Sequence, residues 1–230
     1  MQQNFSVFEG INRVLEWFAR FAVLNLLWVA FNLPISVLVI SLALTNQVAV
    51  IVTTWLIIAL LAPFFFFPAT TAMYAVARKW ILGERDLSII RSFWGYYREN
   101  YKRSIASGAL LVPIWMICVL DIYYFFQLNL IVSIILIFML IFLFIYTTNL
   151  FAINVHFSVS FKLALRNALS FTLLKPFNSI VIAMINLFIL YLSLTSYTFL
   201  LPFFTGSTIA FLSYYTFNKK FSKVQEMQEK

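Results

Sequence analysis

The chain is poor in charged residues. Only 10% of its 230 residues are charged, while 63% are hydrophobic. Soluble domains carry about 25% charged and about 45–50% apolar residues. Because so few charges cannot cover a water-exposed surface, long apolar segments must face lipid. The composition therefore excludes an ordinary soluble domain and predicts an integral membrane protein.

Residue types that build reactive sites are also scarce. The single cysteine, Cys118, cannot form an internal disulfide, and the single histidine, His156, leaves few partners for a metal centre or a nucleophile. The five glycines form no GxxxxGK[ST] phosphate loop, and no nucleic-acid-reading motif is present. We therefore expect a protein that is not an enzyme, with no metal or other cofactor and no nucleic-acid partner.

Three long segments, residues 21–77, 104–161 and 176–218, contain no Lys or Arg and a single acid, Asp121. Each segment can hold two helices of the ~20 residues that cross a bilayer core. Turn-forming residues near 45–47, 127–129 and 202–206 divide the segments. The sequence predicts an all-α polytopic protein, one membrane domain over residues 1–230, with six transmembrane helices at about 21–44, 48–77, 104–126, 130–153, 178–200 and 202–218.

The basic residues predict the orientation. Because they fall on the termini and on the loops 78–103 and 154–177, the positive-inside rule places both termini and both loops in the cytoplasm. Residues 1–20 predict an amphipathic helix on the membrane surface, with a solvated lead-in as the alternative. A signal peptide is the alternative for the first span, but the apolar stretch 21–44 exceeds the usual ~7–15 residues.

The second span contains two prolines, which predict a break between Pro63 and Pro68. A new helix is expected to start at Pro68 and to end at Gly83, a suitable C-terminal cap.

The stretch from Phe67 to Ser104 is a charged and aromatic island that holds seven of the sixteen Lys and Arg residues. Asp86 is a suitable N-cap for an amphipathic helix within it. Its apolar stripe is expected at Leu87, Ile90, Trp94, Tyr97 and Tyr101, with the basic residues mostly off that stripe. The island is interpreted either as an anchor on anionic lipid or as a docking surface for a protein partner. The candidate docking residues are Arg78, Lys79, Trp80, Arg85, Arg91, Phe93, Trp94, Tyr97, Arg98, Tyr101, Lys102 and Arg103.

The island segments FPATTAMYAVARKWILGERD and SFWGYYRENYKRS, with LNLLWVAFNLP at residues 24–34, resemble the YesL family of bacterial membrane proteins, a family of unknown function. The resemblance implies a protein of the cytoplasmic membrane of Gram-positive bacteria that works beside carbohydrate uptake, with an ABC-type sugar uptake system as a partner. It supplies no catalytic or binding residues. The chain departs from many relatives by an extra span's length between Pro34 and Pro68.

Four polar residues inside the predicted spans are candidates for a polar pathway: Asn25, Asn32, Asp121 and Asn149. Hydrogen bonds between helices, or for Asp121 a place at the outer headgroups, are the alternative explanations. The sequence thus leaves two functional expectations. The first is an accessory or assembly protein that docks partners through the island. The second is a small-molecule or sugar permease or facilitator.

Overall fold

The computed structural model describes residues 2–84, 86–174 and 176–228, and the side chains of residues 10–84, 86–174 and 179–222. Every regular element in these ranges is helical, which confirms the all-α prediction. A π-helix, Leu201–Thr205, directly precedes the last α-helix. The α-helices are α1 (Gln2–Phe31), α2 (Leu33–Ala43), α3 (Val48–Leu61), α4 (Phe66–Ile81), α5 (Ile89–Phe125), α6 (Leu130–His156), α7 (Phe161–Leu174), α8 (Pro176–Thr195) and α9 (Gly206–Gln228).

Three helical segments of the described chain are long and apolar enough to cross a membrane alone: Gly10–Phe31, Ile89–Phe125 and Leu130–His156. Two bent pairs raise the number to five if each pair is one span. They are α3 with α4, bent by 52°, and α7 with Ser179–Thr195, bent by 97°. The apolar helices indicate a multi-pass membrane protein with three to five candidate spans, whereas six spans were predicted.

Two predicted boundaries between surface helix and span do not coincide with helix ends. Helix α1 continues through Arg20 without a break and ends at Phe31, and α5 continues through Arg103 over 37 residues. A change in charge marks a change of surroundings, but residues 20–21 and 103–104 contain no helix breaker. The first apolar segment instead breaks at Asn32, because Pro34 lacks the N–H that would continue the helix and its ring would clash with the carbonyl four residues before it.

Local turn chemistry fixes the helix ends that were predicted well. Gly83 adopts a φ of 97° after α4 and donates its N–H to the Trp80 carbonyl, as a C-terminal cap requires. The α3–α4 break falls at Pro63, although α4 starts at Phe66 rather than Pro68. Asn129 caps α6 by accepting N–H groups from the first turn at 3.0 and 3.2 Å.

Two other predicted ends are wrong. Asp86 is not the N-cap of α5, because the helix begins at Ile89 after Ser88. The last predicted turn, near 202–206, lies inside the π-helix, since α8 already ends at Thr195. The N-cap of α5 lies two residues after Asp86, and the turn after α8 lies several residues before the predicted one.

Helix α4 forms the centre of the bundle. Its residues 67–77 are buried without interruption. Neighbours enclose it on several sides: Trp28 of α1 donates to Thr70, Ser104 of α5 donates to Thr71, and Phe151 of α6 packs against the Tyr74 ring. Small residues allow these helices to approach closely. The island therefore begins with a core helix.

The outer helices present apolar side chains outwards. In the three long apolar segments only 11%, 22% and 22% of the most apolar window is buried. Large exposed hydrophobic residues line α2, α3, the second half of α5, the first half of α6, and α8. Because soluble monomers rarely expose such areas, this surface fits a lipid environment.

A buried asparagine joins α1 to the π-helix and to α9. The Asn25 amide donates to the Leu201 carbonyl at 2.9 Å, and its Oδ1 accepts the Ser207 N–H at 2.9 Å. Both backbone groups belong to the region where the helix changes from π to α. Asn25 thus satisfies backbone groups on either side of an irregular helical turn.

We predict that Gly108→Ala destabilises the protein. A Cβ at this position would lie 2.7 Å from Pro63 Cα and 2.9 Å from the Phe67 ring, so α5 would have to move away from the α3–α4 break. The expected loss is about 1–3 kcal/mol, measurable by equilibrium unfolding in detergent. Gly95→Ala on the same helix meets nothing within 4 Å and is the matched control. Equal stabilities of the two variants would contradict the close packing.

We also predict that Asn25→Leu destabilises the protein by about 2–4 kcal/mol, because it leaves two backbone groups without partners. The same unfolding measurement applies, and Asn12→Leu at an exposed position of α1 is the control. A loss no larger than that of the control would show that the Asn25 bonds contribute little.

Candidate functional site

The first turns of α5 carry an exposed basic and aromatic surface. Arg91, Trp94, Arg98 and Lys102 are spaced by three, four and four residues, so they share one face of the helix. All four are exposed, and Trp94 keeps 49% of its surface accessible. We call these four residues, together with the half-buried Tyr97 and Tyr101, the α5 strip.

Stacked rings hold the α5 strip in shape. The Trp94 and Tyr97 rings are nearly parallel, with an interplanar angle of 10° and centroids 6.0 Å apart. The Tyr101 ring follows at 5.4 Å from Tyr97, and the Arg98 guanidinium lies 5.9 Å from the Trp94 centroid. A shallow depression is lined by Tyr97, Arg98 and Tyr101. The strip is therefore a preorganised surface rather than a set of loose side chains.

The α5 strip rests on the end of α1. The Phe31 ring lies 4.8 Å from Tyr97 and 5.7 Å from Trp94, and the Tyr97 hydroxyl donates to the Phe64 carbonyl at 3.3 Å. The ends of α1 and α3 thus meet the start of α5 in one layer. The sequence places Phe31 in the middle of a predicted span and the α5 strip in a predicted cytoplasmic loop. The contact between the Phe31 ring and the strip was therefore not predicted.

Two aromatic docking candidates belong to the core instead of the surface. Phe93 is fully buried, and Trp80 is 3% exposed. The Trp80 ring packs against Trp17 and Phe21 of α1, at 5.7 and 5.6 Å. The predicted apolar stripe ran through Trp94. In the structure the buried face of α5 runs through Phe93, and Trp94 points outwards. These two residues are removed from the docking surface.

Three basic candidates among the described residues do not contribute to the strip. Lys79 pairs with Glu84 at 2.6 Å, just past the end of α4. Arg103 donates to the carbonyls at the end of α6. Arg78 acts electrostatically on a histidine and a tyrosine in the interior. Arg85 lies outside the described residues.

The polar-pathway candidates make separate contacts. Asn25 binds the π-helix region, as described above, and Asn149 donates to Thr172 of α7 at 3.0 Å. The Asn32 side chain donates to the Trp28 carbonyl at 2.8 Å, while its buried Oδ1 has no partner among the described residues. Asp121 is half-buried near the end of α5. The structure does not bring these four side chains into one hydrogen-bonded network, and the pathway stays a prediction.

A polar cluster around His156 was missed. His156 Nδ1 lies 2.7 Å from the hydroxyl of Tyr214, a fully buried residue of α9. The Phe157 and Phe221 rings lie 4.5 and 4.7 Å from the imidazole, and Arg78 of α4 interacts with both polar partners. The cluster joins α4, α6 and α9 at one end of the bundle. No spacing in the sequence relates these three positions, so it could be found only in the folded chain.

The residues are similar to those of known proteins over most of the chain. "Uncharacterized protein YesL" of Bacillus subtilis (strain 168) is 28% identical over 231 aligned residues, covering 98% of this chain and 96% of the relative. "Uncharacterized protein YteU" of the same strain is 28% identical over 203 residues, covering 86% of this chain and 79% of the relative. No solved structure matches the chain.

The family described as "Protein of unknown function, DUF624" matches residues 21–122, from the end of α1 through the central helix α4 and the α5 strip. This range contains the segments on which the resemblance was based. The family match and the two relatives together support a YesL-family protein, and the function of that family is unknown.

Proposed function

We propose that the protein is an accessory or assembly factor of the bacterial cytoplasmic membrane that docks a protein partner through the α5 strip. The observation that carries the proposal is a rigid, exposed surface that combines three cations with a stacked aromatic set. Aromatic residues and Arg are the residue types that dominate binding energy in protein interfaces. The positive-inside rule is enough to explain the cations, but it does not explain the stacked rings.

The partner is a membrane or cytoplasmic protein with an acidic segment. Arg91, Arg98 and Lys102 offer three positive charges on one face, and Glu99 is the nearest exposed acid on the same helix. Carboxylates on the partner would pair with the cations, and an apolar side chain would cover Trp94. We further propose that the partner belongs to a carbohydrate uptake system, such as an ABC-type transporter. This extension rests on the family resemblance.

A permease or facilitator is the second candidate. The observation in its favour is the buried Oδ1 of Asn32, to which no described residue donates a hydrogen bond. Against it, the other two pathway asparagines are used in contacts between helices. Such bonds explain buried amides without transport. Uptake of a sugar into vesicles reconstituted with the purified protein would favour this second candidate.

Photo-crosslinking in native membranes tests the docking proposal. A photoreactive residue in place of Trp94 is expected to give a discrete protein adduct whose crosslinked peptide is acidic. Arg98→Glu should reduce that adduct at least tenfold, because an interface residue of this kind is worth about 2 kcal/mol. A photoreactive residue at the exposed Asn12 of α1 is the control position. Adducts to lipid alone, or a protein adduct unaffected by Arg98→Glu, would contradict docking through this strip.

We also propose six membrane crossings with both termini in the cytoplasm. The positive charges support this orientation, since none lies near the turns at 45–47, 126–129 and 196–198. The α2–α3 hairpin is the critical case. Its helices of 11 and 14 residues reach about 16 and 21 Å, less than a ~30 Å core. Crossing at this hairpin therefore needs the adjoining helices α1 and α4 as well.

Thiol labelling tests the topology. In a Cys118→Ala background, a membrane-impermeant reagent added to intact cells should label Asn46→Cys, Gln127→Cys and Ser196→Cys. It should not label Gly83→Cys until the cells are opened. Labelling of Gln127→Cys without Asn46→Cys would mean that the α2–α3 hairpin enters the membrane without crossing it, which would overturn the count of six. Labelling of Gly83→Cys in intact cells would reverse the orientation.

A further inference from the structure

Arg103 sits where α5 meets the end of α6. Its Nη1 donates to the Phe157 carbonyl at 2.9 Å and is 3.4 Å from the Asn154 carbonyl. These carbonyls belong to the last turn of α6, which carries partial negative charge. One nitrogen of the guanidinium thus caps the helix.

The other edge of the same guanidinium makes no hydrogen bond to the described residues. Nε and Nη2 of Arg103 are buried, and neither has a hydrogen-bond partner among the described residues. Together these two N–H groups form the planar fork that binds two oxygens of a carboxylate or phosphate. Leaving such a buried donor unpaired is unfavourable, because the group has lost its hydrogen bonds to water. The ion pairs found in the described residues involve Arg20 and Lys79, so no carboxylate of the described chain fills this edge.

Asn154, whose backbone carbonyl Arg103 contacts, also carries an unpaired side-chain acceptor. The Asn154 side chain donates through Nδ2 to Ser107, one turn along α5 from Arg103, while its buried Oδ1 has no partner in the part of the chain that the structure describes. A ligand that satisfies both residues must offer acceptor oxygens to Arg103 and a hydroxyl to Asn154. A phosphate attached to a hydroxylated group meets this description.

A second cation adds positive charge nearby. Arg78 acts on His156, whose ring packs against Phe157, the residue that Arg103 binds. The Arg78 Nε is also buried, and no described residue accepts a hydrogen bond from it. Two guanidinium groups around the end of α6, without a carboxylate partner in the described chain, favour an anion over a neutral ligand.

The position along the chain favours a membrane-bound anion. The uncharged part of α5 begins at Ser104, directly after Arg103, and the apolar helix α6 ends at His156. Arg103 therefore marks the boundary between apolar and polar segments, the depth at which lipid phosphates lie. Basic pockets between membrane helices at this depth bind anionic headgroups.

We infer that the free edge of Arg103 and the Oδ1 of Asn154 bind a phosphate-bearing anion that also carries a hydroxyl, as the headgroup of phosphatidylglycerol does. The site is separate from the α5 strip, because Arg103 faces α6 whereas Arg98 and Lys102 face outwards. The lipid headgroup and free glycerol phosphate share this chemistry.

Binding to delipidated protein tests the inference. Native mass spectrometry would compare phosphatidylglycerol with phosphatidylcholine of the same acyl chains. We expect at least tenfold tighter binding of phosphatidylglycerol, and a roughly tenfold loss in Arg103→Lys, which keeps the charge but loses the fork. Arg98→Lys on the α5 strip is the matched control and should leave the affinity unchanged. Equal affinities for the two lipids, or equal effects of the two substitutions, would overturn the inference.

Competition with free glycerol phosphate shows whether the ligand is a membrane lipid or a soluble anion. If it displaces the lipid at similar concentration and with the same sensitivity to Arg103→Lys, the site serves the soluble anion. If millimolar glycerol phosphate does not displace the lipid, the acyl chains contribute and the membrane lipid is the ligand.

A second substitution keeps the test meaningful if Arg103→Lys folds poorly. Asn154→Asp would place a carboxylate beside Arg103 and fill the free edge from within the chain. We expect a higher thermal midpoint without lipid and loss of selective phosphatidylglycerol binding. Wild-type affinity in Asn154→Asp would overturn the inference.

Discussion

The close approach of α5 to the α3–α4 break is the contact on which the rest of the structure depends. At Gly108 an added Cβ would lie within 2.7 Å of the Pro63 backbone, so the two segments are as close as a glycine allows. That distance lets Ser104 reach Thr71 and positions Phe67 and Tyr74 against Phe151 of α6. Inside a lipid-exposed protein, where water does not drive helices together, such fitted contacts provide the association energy.

Polar residues in the interior follow from the same constraint. Lipid cannot satisfy a free backbone or side-chain group, so buried amides bind where helices are irregular or end. Asn25 joins the π-helix region to α1, Asn129 caps α6, and Asn186 donates to Ser213 between α8 and α9. These bonds explain why asparagines occur within apolar helices, and they reduce the number of polar groups left for a conducting path.

Local chemistry made part of this fold predictable. The Gly83 cap, the break at Pro63 and the turn before α6 depend on residues within a few positions of each other, and the sequence indicates them correctly. The predicted boundaries at 20–21 and 103–104 lie inside continuous helices, because they were drawn from a change in charge, which does not end a helix. The six predicted spans are not confirmed for a related reason: an uncharged run does not reveal where a helix bends, and the described helices give three to five candidate spans.

The candidate site was predictable in location but not in detail. The island contains the α5 strip, as expected, yet the choice between Phe93 and Trp94 as the outward residue depends on the rotation of α5. That rotation is set by Ser104 and Gly108, more than two turns further along the chain, and by the helices they meet. The contact between His156 and Tyr214 joins residues 58 positions apart, and the Asn25 contact joins residues 176 apart. Neither contact leaves a periodic signal in the sequence.

The continuity of α5 relates its two basic regions. Arg91, Trp94, Arg98 and Lys102 share one face, while Phe93, Ser104, Gly108 and Leu111 are buried on the opposite face of the same helix. Arg103 lies between these faces and reaches α6. Because a helix without a break transmits rotation and tilt along its length, an occupant on the α5 strip and an anion at Arg103 would act on one rigid element. Binding at one site would therefore change the affinity of the other site only through the packing of α5 against α4 and α6. That packing is closest at Gly108.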